Sequence, residues 1–276
     1  MSATRDTWLA YAPPPAPLGP GQKWNVFLSY RSANRPWVIN LYDVLRSHGH
    51  AVFLDEVTIA AGERPTPAVE TALEGSQAGV LVWSTAAADS DWVRREYEAM
   101  SMRALRGGFH FVPVRLDADE LPTFARLRVF LDFSGYPAGP SGGELLKLLH
   151  GVVGTALSPE GVRFANEQDD AARLANAEIE ALVRNGRAER LRALCDEGGL
   201  AWEISAALGC AAAEGLIKLE AYDAALAVLG RLEPRFPRAI RPKQLRALAL
   251  TRRDGPGDLA EAQDLLGAFA QPPDRP

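Results

Sequence analysis

Short apolar runs recur through the first half of this sequence, and most of them are followed by a segment with helical periodicity. Runs that are apolar at nearly every position predict strands buried on both faces, as in a parallel sheet covered by helices. Right-handed crossovers between them then give an α/β fold with a five-stranded, doubly wound parallel sheet. The five runs are Val26–Tyr30, Ala51–Leu54, Gly79–Trp83, Phe109–Val114 and Val129–Phe133.

Residues 1–22 precede this pattern and differ from it in composition. The run from Pro13 to Pro17 disfavours both helix and sheet and is typical of an extended linker. Trp8 and Tyr11 leave open a docking role for part of the segment. The sequence nevertheless predicts a Pro-rich, disordered tail.

From about Ser158 the apolar runs give way to an Ala- and Leu-rich sequence with helical periodicity. The segment around Ala225 is similar to the segment around Ala262, 37 residues later. This period predicts stacked helical hairpins, whose last apolar face needs further chain or a partner to cover it. We therefore expect an α/β domain at residues 23–155 and an all-α helical-hairpin repeat domain at residues 156–276.

The composition excludes several classes of function. A net charge of −5 argues against a general nucleic-acid binder, and no apolar run approaches the roughly 20 residues that span a bilayer. The N-terminus lacks the basic start and apolar core of a secretory signal. Cys195 and Cys210 form no metal-type cluster. These features predict a cytoplasmic protein without a metal.

The strongest candidate for chemistry is the pair Trp92 and Glu96, which opens the helix after the third strand. Residues four positions apart share one face of a helix. An aromatic ring and a carboxylate at the carboxyl edge of a sheet make a plausible ligand site. Alternatively, Glu96 is a solvated helix residue beside Arg94 and Arg95, and Trp92 anchors the helix to the core.

Polar residues follow the first three strands at the same edge, where doubly wound sheets bind ligands. After the first strand, Arg31 could contact a pyrophosphate or form a salt bridge with Asp55. Asp55 could hold the following loop or contact the ligand. Ser84 could bond a ribose or cap a turn. Ser29 and Tyr30 complete this set of candidate binding residues.

Other reaction classes lack their motifs. No GxGxxG follows a strand, and the sequence has no phosphate-binding loop, no GxSxG elbow and no zinc-ligand spacing. A response-regulator receiver needs an acidic pair after the first strand and an aspartate after the third. Ser29–Arg31 and Ser84–Thr85 occupy those positions.

Three motifs in the predicted α/β domain resemble those of the TIR domain family. Phe27–Arg31 resembles the first signature box, and Val52–Asp55 with the loop that contains Gly62 resembles the second box and the BB loop. Asp91–Glu96 resembles the third-helix motif of the bacterial NAD-cleaving branch. The resemblance covers about residues 23–153. The last 75 or so residues resemble tetratricopeptide-like helices.

The resemblance implies that the protein is an NAD⁺ glycohydrolase or cyclase in which Glu96 is the catalytic carboxylate. NAD⁺ would be a substrate, so no cofactor is expected. In this family activity depends on oligomerisation through the TIR domain, and the biological role implied is antiphage defence. The helical region would sense a protein or ligand trigger, or bring copies of the chain together.

One departure from the family concerns the wall of the pocket. Some NAD-cleaving members carry an aromatic residue just after the BB-loop glycine, but Gly62 is followed here by Glu63 and Arg64. Arg64 could face a phosphate instead, or a neighbouring copy could supply the missing wall. The alternatives to an enzyme are a non-catalytic TIR scaffold for homotypic docking and a tetratricopeptide-type adaptor with a degenerate TIR domain.

Overall fold

The computed structural model describes residues 4–55 and 65–267. Its strands form one parallel sheet in the order β2-β1-β3-β4-β5, which confirms the predicted five-stranded fold. The order reverses between β1 and β3, and this switch point is where ligands enter such sheets. The strands are β1 (Trp24–Ser29), β2 (Val52–Phe53), β3 (Ser76–Trp83), β4 (His110–Arg115) and β5 (Leu131–Asp132).

The helices of the first half cover both faces of this sheet. In chain order they are α1 (Arg5–Tyr11), α2 (Arg35–Ser47), α3 (Pro65–Glu74), α4 (Thr85–Ala88), α5 (Asp91–Arg106), α6 (Thr123–Arg126) and α7 (Gly142–Val153). Alternation along β1 separates two cores. Val26 and Leu28 pack with α2 and α7 on one face, and Phe27 packs with α3 and α5 on the other.

The N-terminal segment differs from the predicted disordered tail. The Thr4 side chain caps α1, and the indole of Trp8 is fully buried beside Phe164 of the helical region. Further along, the carbonyl of Ala16 accepts a hydrogen bond from Asn25 of β1. The segment between α1 and β1 has no regular secondary structure, but the buried indole of Trp8 and the paired carbonyls of Ala16 and Pro17 hold it against the fold.

The second half of the described chain is helical, as predicted. Small residues mark the equivalent positions of its repeat: Ala225 and Ala262 are both buried. The last helix of the described chain leaves Leu259 and Leu266 about half exposed. The helices are α8 (Pro159–Arg184), α9 (Ala188–Glu197), α10 (Leu200–Ile204), α11 (Ala207–Lys218), α12 (Tyr222–Arg235), α13 (Ile240–Arg253) and α14 (Asp258–Gly267).

The helical region packs on the face of the sheet that α2 and α7 cover, and the two halves share one continuous apolar core. Helices α7 and α8 approach each other closely. A methyl group on Gly143 would lie 1.9 Å from the carbonyl oxygen of Ala165, so only glycine fits there. The opposite face, with α3 and α5, remains outside this contact and carries the candidate site.

Candidate active site

Glu96 lies on the stripe of α5 that faces the sheet. Ser90 caps the helix, and Val93, Tyr97 and Met100 are buried at helical spacing around Glu96. Glu96 is therefore directed inward by the same periodicity that places the apolar residues of α5 in the core. Its exposed fraction is only 9 %, so the interpretation of Glu96 as a solvated helix residue is wrong.

Ser29 at the end of β1 is the direct partner of Glu96. The Ser29 hydroxyl donates a hydrogen bond of 2.6 Å to Oε2 of the Glu96 carboxylate. Ser29 is completely buried, and it points to the α5 face because it follows Phe27 at the strand period of two. This hydrogen bond connects α5, which carries the third-helix motif, to the end of β1, which carries the first box.

The environment of Glu96 changes its acidity. Burial raises the pKa of this carboxyl to about 7, and the nearby negative charge of Asp55 acts in the same direction. Hydrogen bonds from Ser29 and Trp92 act against this rise because they stabilise the charged form. Near neutral pH, Glu96 is therefore present in both protonation states. Such a perturbed carboxyl is typical of a functional site.

A small cavity opens beside Glu96 at the carboxyl ends of β1 and β2. Its volume is about 10 Å³, which is room for roughly one water molecule. Apolar and polar side chains share the lining, and half-buried Trp92 forms one wall. The described lining residues are Phe27, Leu28, Tyr30, Phe53, Asp55, Val69, Trp92 and Glu96.

Tyr30 and Asp55 form a second polar pair in this cavity. The Tyr30 hydroxyl donates a hydrogen bond of 2.8 Å to Oδ1 of Asp55. The salt bridge considered between Arg31 and Asp55 is absent from the described contacts, and Arg31 is exposed outside the cavity lining. The pyrophosphate contact considered for Arg31 stays a prediction.

Ser84 performs the capping role that was one of its two predicted alternatives. Its hydroxyl accepts a hydrogen bond from the N–H of Ala87 and caps α4. The same hydroxyl donates to the side chain of Asn34, at 2.8 Å. Ser84 therefore joins the end of β3 to the turn after β1, and it lies outside the described cavity lining. The ribose contact stays untested.

Comparison with known proteins assigns the first half of the chain. Residues 26–146 match the sequence model described as TIR domain. This segment is a TIR domain. The crystal structure of the TIR domain of the Toll-related receptor TRR-2 from Hydra magnipapillata aligns at 21 % identity with a TM-score of 0.36. The alignment covers 41 % of this chain and 86 % of that chain. A comparison with curated proteins gave no match.

The binding role predicted for Arg64 cannot be compared with the structure, because Arg64 and most of the loop that contains Gly62 lie outside the described residues. Among the described helices, none combines the length and the hydropathy of a membrane span.

The apolar walls of the cavity were not predicted from the sequence. Phe27 and Phe53 stack with a centroid distance of 5.4 Å at neighbouring strand positions, and Val69 of α3 completes this side. The sequence signal was that Phe27 and Phe53 each lie in one of the first two predicted strands, which the structure pairs in register. The alternation of β1 places Phe27 on the face that also receives Ser29.

Proposed function

We propose that the TIR domain cleaves the bond between nicotinamide and ribose in NAD⁺, with Glu96 as the catalytic carboxylate. One observation carries the proposal: Glu96 is buried against Ser29 in a cavity that it shares with Trp92 and Asp55. Burial disfavours the charged form of a carboxyl group, so this position is unfavourable for Glu96 itself. A chemical role accounts for it.

The reaction needs only one carboxylate. Ordinary glycosidases use a second carboxyl group as an acid, which protonates the leaving group. In NAD⁺ the leaving group is already a cationic pyridinium. When the bond between C1′ of the ribose and N1 of nicotinamide breaks, the electron pair moves to N1 and neutral nicotinamide leaves. Glu96 stabilises the positive charge that develops on the ribose.

Water then attacks C1′ and releases a proton, which gives ADP-ribose. A nucleophilic nitrogen of the substrate's own adenine is the alternative attacking group, and it gives a cyclic ADP-ribose isomer. Both routes share the step at Glu96. The indole of Trp92 forms the wall one helical turn before Glu96, and its electron-rich face suits a cationic ring.

The cavity of about 10 Å³ is smaller than a nicotinamide ring. NAD⁺ therefore enters only after the walls around Trp92 and Tyr30 move apart. We propose that self-association of the TIR domain supplies this change and that the helical region controls it in response to a trigger. The resulting loss of NAD⁺, or a nucleotide signal, would act in antiphage defence.

The test is nicotinamide release from NAD⁺ by the 276-residue chain at high concentration and with a crowding agent. Glu96→Ala should abolish release. Glu98→Ala is the matched control, because Glu98 lies on the same helix and is exposed; it should retain the wild-type rate. Equal release by the wild type and Glu96→Ala would contradict the assignment of Glu96.

The second candidate function is a TIR scaffold that binds other TIR domains without catalysis. The small volume of the cavity favours it, since the site as it stands has no room for the substrate. If no assembled state of the wild type releases nicotinamide while the protein still self-associates, the scaffold is the better description.

A further inference from the structure

We propose that Ser29 is a positioning residue for Glu96 and makes no contact with the substrate itself. The sequence motif alone allows a binding role, because Ser29 stands beside Tyr30 at the ligand edge. The inference rests on the proposed function insofar as it concerns catalysis. The interaction between the two side chains is independent of it.

The location of Ser29 separates it from the cavity. Ser29 has no exposed surface and is not among the described residues that line the cavity, whereas Glu96 is. The hydroxyl therefore lies behind the carboxylate as seen from the cavity. In the cavity as it stands, Glu96 is accessible to a ligand and Ser29 is not.

The backbone of Ser29 is held by its pairing with β3. β1 is an inner strand, paired with β2 and β3, and Ser29 is in register with Leu81 of β3. A donor on an inner strand has little freedom to move. Its hydrogen bond of 2.6 Å to Oε2 therefore fixes where the Glu96 carboxylate sits relative to the sheet.

The hydrogen bond also bears on the charge of Glu96. The other titratable groups on the described cavity lining are Asp55 and Tyr30, and neither is a cation. Asp55 disfavours the carboxylate form of Glu96, while Ser29 and Trp92 favour it by hydrogen bonding. Ser29 thus supplies part of the stabilisation that lets a buried carboxylate ionise near neutral pH.

The first experiment is the pH profile of nicotinamide release by Ser29→Ala and by Ser29→Cys, which keeps a weak donor. We expect the acid limb of Ser29→Ala to move up by about one pH unit. Release at pH 7 should then fall about five-fold and recover by pH 9, with Ser29→Cys between the two. A higher KM with an unmoved acid limb would instead identify Ser29 as a substrate ligand and overturn the proposal.

The matched control is Ser76→Ala. Ser76 is also fully buried, and its hydroxyl donates 2.6 Å to the carbonyl of Ala72 at the opposite end of the sheet. Both variants should lose similar thermal stability, but only Ser29→Ala should change the pH profile. If the two variants behave alike in both respects, Ser29 is merely structural.

A second readout needs no catalysis. Trp92 lies one turn from Glu96, so its fluorescence should report the ionisation of that carboxyl. Among the six tryptophans, its signal is isolated by subtracting the titration of Trp92→Phe. We expect a transition near pH 7 in the wild type, none in Glu96→Gln and a higher midpoint in Ser29→Ala.

An unshifted midpoint in Ser29→Ala would refute the proposal even in an active enzyme. A shifted midpoint in a protein that never releases nicotinamide would refute only the proposed function.

Discussion

Asp43 of α2 accepts hydrogen bonds from the backbone N–H groups of Ile240 and Arg241, at 2.7 and 3.2 Å. These N–H groups are at the start of α13, where Ala239 offers no side-chain cap. A side chain of the TIR domain therefore caps a helix of the other half of the chain. The contact ties the two predicted domains together through a specific polar joint, in addition to their shared apolar core.

We expect Asp43→Ala to weaken this joint. The substitution leaves two helix N-terminal N–H groups without their acceptor, and losing such a cap costs about 1–2 kcal/mol. Asp43→Asn keeps an acceptor oxygen and should lose less. The free energy of unfolding at pH 6, from urea denaturation, measures both effects. Equal stability of Asp43→Ala and the wild type would show that the cap is energetically unimportant.

The same residue predicts how stability depends on pH. Burial raises the pKa of Asp43 to about 7, so the folded state binds a proton more tightly than the unfolded state. Its contribution to stability is fully present below about pH 4 and is lost as pH rises through 7.

Asp43→Asn removes this titration. The free energy of unfolding of the variant should therefore fall less between pH 4 and pH 8 than that of the wild type, by on the order of 2 kcal/mol. Because Glu96 also has a raised pKa, the comparison is best made in a Glu96→Gln background. A slope that Asp43→Asn leaves unchanged would contradict the assignment.

The fold was predictable because its signals are local. Each strand of the sheet coincides with an apolar run, and the inward position of Glu96 follows from its spacing to Val93 and Met100. The burial of Trp8 was not predictable, since its contact is with Phe164 in the other half of the chain. A local sequence pattern cannot reveal a distant partner.

The candidate site was predictable only in part, for a similar reason. The residue types at the strand ends identified the correct edge of the sheet. Which of these side chains pair depends on how the chain turns after the strand. β1 ends at Ser29. The next residue, Tyr30, donates a hydrogen bond to Asp55, whereas Arg31 is exposed. Alternation along a strand no longer applies beyond its last residue.

Trp8→Ala should strongly destabilise the protein. The side chain is fully buried in the core that joins the N-terminal segment to the helical region. Truncating a buried aromatic residue to alanine typically costs about 3–5 kcal/mol. Leu9→Ala is the matched control, because Leu9 follows on the same helix and is 45 % exposed. Thermal unfolding should show a large loss for the first variant and a small one for the second, and similar losses would argue against docking of α1.

Gly143→Ala should disrupt the contact between α7 and α8. The added methyl group would meet backbone atoms of Ala165, which cannot rotate away as a side chain could. Gly230 provides the control: it lies inside α12 with open space around it. Gly230→Ala should raise stability by about 0.5–1 kcal/mol, since alanine favours the helix. Folding of Gly143→Ala with wild-type stability would show that the two helices can separate at little cost.

Trp92 should matter to the proposed reaction through its aromatic face. Trp92→Ala removes the wall beside Glu96, and the loss of a cation–π contact of about 0.5–2 kcal/mol predicts a fall in kcat/KM of roughly 2- to 30-fold. Trp92→Phe keeps a weaker aromatic face, and its kcat/KM should fall less.

The reduced dinucleotide NADH lacks the pyridinium charge and should compete poorly with NAD⁺ in the wild type. Because Trp92 also packs against Val93 and its neighbours, each rate must be compared at a temperature where circular dichroism shows the variant to be folded. Equal kcat/KM for Trp92→Ala and the wild type, with both folded, would place the nicotinamide ring elsewhere.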